Sequence, residues 1–266
     1  MREEIKYSPE EIIWKYHQLH QRMYAEHSLK SLSGLNNEYK LNGRELLIWH
    51  GEATRKCSIK YSGQFNYWKN LDNILFCSEE ILYYTSSLFL YRPYINNPLK
   101  EAFCSGGTMI YPNYQNHYAK RYSMFTDVVC QCVYNFWDRI GDLIASFFPT
   151  LIAPSRVFFT TVIDIIPQQF HSSQNYIWLN NFRKIEFKQL NEMRKQIVHY
   201  STSETDYKHL HLDNGGTDRE EMVKIQAQRE SLPEFYKSHI ELTLIGMEKT
   251  LLLLEEISNS LFTDIS

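Results

Sequence analysis

Between Phe125 and Phe147 the apolar side chains fall at Phe125, Val128, Val129, Cys132, Val133, Phe136, Trp137, Ile140, Ile144 and Phe147. Steps of three and four draw a single stripe on a helix, so a long packed helix is expected over roughly residues 114–148, stopped by Pro149 and Pro154. An earlier helix starts at Ser8-Pro9-Glu10-Glu11, a capping box with proline at the first helical position, and should run to about Leu29. Residues 31–37 read as a loop. Residues 38–64 fit neither period, although Arg44 to His50 looks helical. A helix rich in aromatics is expected over Trp68–Tyr91, ended near Pro93. A short helix over 155–166 closes at Pro167, and another is expected over Phe182–His199. Residues 201–218 form a polar connector. Thr217-Asp218-Arg219-Glu220 and Ser231-Leu232-Pro233-Glu234 both read as capping boxes, the second restarting the last helix at Pro233. That helix runs to about Ser260.

Helices joined by loops imply an all-α protein, an up-and-down helical bundle. The division expected is a bundle over residues 66–262, with residues 1–65 as an N-terminal helical extension packed on it. Only 10 glycines in 266 residues leave few turn signals, which favours long helices over many short strands. The net charge of −3 argues against a general nucleic-acid coat, so any nucleic-acid site must be local. Five cysteines, an odd number with no CxxC pair, suit reduced thiols in a cytoplasmic protein. The opening residues lack the apolar run of a signal peptide. The most apolar region, residues 140–167, is interrupted by Asp142, Pro149, Pro154, Arg156 and Asp164, so no membrane span is expected.

The candidate chemistry lies in Arg194-Lys195-Gln196-Ile197-Val198-His199-Tyr200. With Leu190 at zero and about 100° per residue, Arg194 falls near 40°, inside the arc formed by Met193, Ile197 and Val198. A guanidinium there must snorkel, pair or act. Asp138 and Asp142 are candidate structural partners. Spacing alone does not single out this pair, because Arg22–His27 has the same separation and Arg44–His50 one residue more. His199 lies about 140° from Arg194 on a regular helix, so the two converge only if the helix tightens or ends near Val198, or if two subunits share the site.

The Arg194-to-Tyr200 stretch resembles the R-x4–6-H signature of the HEPN superfamily. The segment Tyr134-Asn135-Phe136-Trp137-Asp138-Arg139-Ile140-Gly141-Asp142-Leu143-Ile144 is similar to the core helix of certain prokaryotic HEPN proteins. The resemblance covers roughly residues 68–260. It implies a compact HEPN-like bundle that often dimerises. In catalytic members, two motifs face each other across the dimer axis and cleave RNA without metal. By position, Arg194 and His199 are the catalytic pair, with Lys195, Asp138 and Tyr200 as supporting candidates. The family usually places a polar residue, frequently Asn, after the Arg, where this chain has Lys195. Members ending in H-x-Y carry the Tyr one place later than Tyr200, so that role does not transfer. The resemblance further implies RNA as partner, a homodimer, a toxin or phage-defence setting with an antitoxin or regulatory protein, and no cofactor. Two other readings stay open: a non-catalytic HEPN-like module binding RNA or protein, and an α-helical scaffold in which Arg194 is structural.

The remaining candidates read as structure. His209, His211 and Asp213 alternate like metal ligands but sit in a polar connector with no further ligand nearby, so no metal is expected. Cys130 and Cys132 are two apart on a helix and face different ways, as core thiols. Arg22 and His27 belong to a solvated face. Tyr83, Tyr84 and Tyr91 to Tyr94 carry rings that can stack bases, but packing in an aromatic core is the expectation.

Overall fold

A computed structural model describes residues 8–112, 115–199, 205, 208–209 and 216–261. Helix α1 (Pro9–His27) begins with the expected capping box: Ser8 Oγ accepts from the Glu11 amide at 3.2 Å and Glu11 returns a carboxylate to the Ser8 amide at 2.9 Å. It stops at Ser28, whose φ of 54° is left-handed. The ambiguous stretch after it holds a small antiparallel hairpin, β1 (Lys40–Leu41) and β2 (Arg44–Glu45), with Lys40 opposite Glu45. Asn42 and Gly43 make its turn, both with positive φ, as a two-residue hairpin turn requires. Helices α2 (Leu46–Lys60) and α3 (Tyr67–Tyr91) follow, the latter capped by Asn66.

A second hairpin, β3 (Phe103–Ser105) and β4 (Thr108–Ile110), had no forecast. The long helix α4 spans His117–Ala145, about one turn shorter at each end than the expected 114–148, and Asn116 caps its start by accepting from the Ala119 amide. Then come α5 (Phe159–Ile165), α6 (Gln174–Lys184), α7 (Glu186–His199) and α8 (Arg219–Leu261). The expected short helix at 155–166 is a 3-10 turn followed by α5, since Val157 and Phe158 are extended.

The protein is an all-α bundle carrying two short hairpins. Helix α3 lies along α4. Helix α8 runs against α2, α3, α4 and α6, and α7 packs on α4 and α6. One buried cluster joins Leu46, Trp49 and Cys57 to Phe136, Trp137, Ile144, Leu251 and Leu254, so α2 shares the bundle's core. Helix α1 lies on α3, where His20 Nδ1 meets Ser86 Oγ at 2.6 Å. No helix among the described residues is long and apolar enough to cross a membrane.

Three local expectations need correction. The helix foreseen over Phe182–His199 is two helices, broken at Ile185 (φ −111°, ψ −80°). On an unbroken helix Phe182 and Phe187 would point about 140° apart. The break lets both reach one aromatic core, with Phe182 4.0 Å from the Trp137 ring and Phe187 5.1 Å from Phe159. Ser231 does not cap a new helix. Helix α8 passes continuously through Pro233, and the Ser231 hydroxyl donates to the Gln228 carbonyl instead. Proline has no N–H for the carbonyl four residues back, that of Arg229, and the Tyr122 hydroxyl donates to it at 2.6 Å. At the start of α8 the capping side chain is Asp218, which accepts from the Glu221 amide at 3.0 Å, one residue beyond the expected Thr217.

Candidate functional site

Helix α7 presents Phe187 and Leu190 to the core, with Met193 and Ile197 half-buried beside them. Arg194 is also half-buried, as its position on the apolar arc requires. Its surroundings are not those of a structural ion pair. Nε donates to Gln131 Oε1 on α4 at 3.3 Å, and the guanidinium carbon sits 4.1 Å above the Tyr134 ring. Among the described residues no carboxylate lies within ion-pairing distance of it. The two expected partners are engaged elsewhere. Asp142 pairs with Arg139 at 2.7 Å, and Asp138 accepts from the Phe159 amide at 3.4 Å, at the start of α5.

Three other arginines of the bundle make a contrast. Arg44 meets Glu255 at 2.9 Å, Arg92 meets Glu234 at 2.7 Å, and Arg183 pairs with Asp164. Of the three Arg–His spacings in the chain, two are therefore neutralised: Arg22 pairs with Glu26 at 2.6 Å, and Arg44 is held by Glu255 and lies over Trp49. His27 stacks on Phe89 at 3.7 Å, and His50 is fully buried. Of the arginines in these three spacings, Arg194 alone has, among the described residues, no carboxylate within 4.0 Å to cancel its charge.

The HEPN family described as Cthe2314-like matches residues 68–255, more than half of the chain. This chain belongs to that HEPN family. No curated protein and no solved structure matches it. In this HEPN chain the family match takes in α3 through most of α8, and so includes both α4 and α7, the two helices that meet at Arg194.

His199 is exposed and is the last residue of α7. The helix stays regular to that point, with no break like the one at Ile185. Within one chain, Arg194 and His199 thus project about 140° apart. Lys195 is exposed and pairs with Glu192 at 2.9 Å. Tyr200 lies outside the described residues. Asp138 is close enough to feel the charge of Arg194, yet burial dominates and pushes its carboxyl up to about 6. The Phe159 amide and Arg194 pull the other way.

Two residues missed by sequence reasoning complete the surroundings. Gln131 and Tyr134 stand at i and i+3 on α4, with Asp138 one turn further, and so form a row under Arg194. The available signal was a glutamine inside a strongly apolar helix. Gln131 is itself oriented by its Nε2, which donates to Asn135 Oδ1 at 2.7 Å. Tyr134 is stacked on Phe187 of α7 at 5.4 Å.

The other candidates behave as structure where they are described. Cys130 and Cys132 are buried, and burial pushes the Cys130 thiol up to about 12. Tyr83 stacks on the buried His20 at 4.4 Å, while Tyr84 and Tyr91 pack on Phe125. His211 and Asp213 lie outside the described residues. Among the described residues no group of three or more His, Cys, Asp and Glu is placed to hold a metal.

Proposed function

We propose that this HEPN protein is a metal-independent endoribonuclease that acts as a homodimer, with Arg194 of one protomer working beside His199 of the other. The observation that carries the reading is the state of Arg194: half-buried, laid on a tyrosine ring and held by an amide, with its charge uncancelled by any carboxylate within 4.0 Å among the described residues. A guanidinium so placed suits a phosphodiester, which supplies the missing negative charge and two oxygens.

The substrate carries its own nucleophile, the 2′-hydroxyl. His199 takes its proton or protonates the departing 5′-oxygen, since an imidazole can do either near neutral pH. Arg194 stabilises the charge that gathers on the phosphoryl oxygens in the transition state. Attack within one nucleotide leaves a 2′,3′-cyclic phosphate and a 5′-hydroxyl. Acid–base and charge-stabilising roles are thereby both filled by side chains. The 140° divergence along α7 supports a two-fold arrangement, because an isologous dimer would bring to one groove what a single chain points apart. A toxin or defence role, and an antitoxin as partner, belong to the same proposal, with family membership as their support.

The divergence also favours a second reading, a non-catalytic module in which Arg194 binds RNA phosphates and His199 takes no part. Incubating the purified protein with RNA in EDTA separates the two. The nuclease reading expects cleavage by the wild type and none by Arg194→Ala or His199→Ala. Intact RNA across a broad substrate panel refutes it, and cleavage only with added metal refutes the mechanism. RNA binding that survives His199→Ala, without cleavage by the wild type, is the signature of the module.

A further inference from the structure

We infer that Gln131 and Tyr134 are positioning residues for Arg194, fixing its guanidinium so that the terminal two-nitrogen edge is offered to a phosphodiester; this rests on the reading of Arg194 as the phosphate-binding group. The guanidinium has one inner donor, Nε, and an outer edge carrying Nη1 and Nη2. Gln131 occupies the inner donor at 3.3 Å. The Tyr134 ring, 4.1 Å from the guanidinium carbon, holds the plane by cation–π attraction. Neither Nη atom makes a hydrogen bond or ion pair among the described residues, and neither is sealed from solvent.

Both supports are themselves held. Asn135 orients the Gln131 amide at 2.7 Å, which presents the oxygen, not the nitrogen, to Arg194. Phe187, seven residues before Arg194 on the same helix, stacks on the Tyr134 ring at 5.4 Å. The chemistry of the two supports is informative. An amide and a phenol ring can orient a cation without cancelling its charge, whereas a carboxylate at either place would orient it and neutralise it. A structural arginine gains from the carboxylate, but one that must receive a phosphate does not.

Gln131→Glu is therefore the decisive variant. It keeps the shape and converts the hydrogen bond into an ion pair. The expected result is a fall in kcat of tenfold or more with an unchanged or higher Tm. Tyr134→Leu should lower kcat about tenfold, and Tyr134→Phe, which keeps the ring, should recover most of it. If the wild type cleaves and Arg194→Ala does not, but Gln131→Glu and Tyr134→Leu cleave at the wild-type rate, the positioning role is overturned while the nuclease reading stands. If the wild type fails to cleave, a fluorescent 2′-O-methyl RNA oligonucleotide decides the matter by anisotropy. Tenfold weaker binding by both Arg194→Ala and Gln131→Glu upholds the positioning role in a binding module, and undiminished binding by Gln131→Glu overturns it.

Discussion

Tyr122→Phe tests how the bundle tolerates a proline inside its longest helix. Pro233 leaves the Arg229 carbonyl of α8 without its helical donor, and the Tyr122 hydroxyl, from α4, supplies one at 2.6 Å. Tyr122 is only 1 % exposed, so no water replaces the hydroxyl easily. Removing it strands a buried carbonyl at a penalty of roughly 1–3 kcal/mol, while a phenylalanine ring refills the space. In a Pro233→Ala background the helix recovers its own N–H, and the hydroxyl becomes a second donor to a satisfied acceptor. There the same change should cost only about 0.5–1 kcal/mol, the net value of an ordinary hydrogen bond. A double-mutant cycle by urea denaturation, with m-values checked for constancy, should therefore show a coupling of about 0.5–2 kcal/mol. If Tyr122→Phe costs the same in both backgrounds to within about 0.3 kcal/mol, the hydroxyl does not stand in for the missing helix bond.

Three further outcomes are expected. A methyl group added at Gly246 would overlap the Trp137 ring, which is packed between Phe159 and Phe182 and has no room to yield. Overpacking of ~3 kcal/mol against a helix-propensity gain of ~1 kcal/mol predicts a net loss of ~2 kcal/mol for Gly246→Ala. This should appear as a Tm lower by roughly 4–8 °C in calorimetry, and an unchanged Tm would show that the tryptophan can move. Burial lowers His20, His50 and His239 to about 4, so the unfolded chain takes up protons that the folded chain refuses. Stability from these groups is complete above about pH 6.5 and is lost as the pH falls toward 4. Carboxyls raised by burial, Asp138 foremost, act in the opposite sense, but three imidazoles outweigh it. Tm should fall across that window, and a flat or rising profile would contradict the assignment. Asp138→Asn keeps an oxygen for the Phe159 amide and removes a carboxylate that folding disfavours. Because its folded pKa is raised, that penalty is present above about pH 6 and vanishes below the unfolded value. After discounting for its partial exposure to solvent, the variant should be stabler by ~1–2 kcal/mol at pH 7 and no different below pH 4; equal stability at pH 7 would mean the carboxylate is better solvated than its surroundings suggest.

The pattern of apolar residues was enough to declare the architecture. The stripe from Phe125 to Phe147 does pack as one face of α4, and the capping box at Ser8 does start α1, because both signals act over three or four residues of the same helix. The family, too, was legible from the chain, and its match spans α3 through most of α8. What adjacent residues could not specify was where helices yield to one another. Ile185 breaks its helix because Phe182 and Phe187 must meet the same Trp137 and Phe159, and nothing within the α6–α7 segment announces those partners. Pro233 reads locally as a helix start, yet Tyr122, 111 positions earlier in the chain, makes it tolerable as a helix interior.

The site divides along the same line. The sequence by itself determined that Arg194 lies on the apolar side of its helix and that His199 closes that helix. Whether such an arginine is neutralised depends on a row of side chains from α4, and the tertiary structure set there Gln131 and Tyr134 instead of a carboxylate within reach. Helical periodicity places a charge on a face, but only packing against another helix decides what that charge meets.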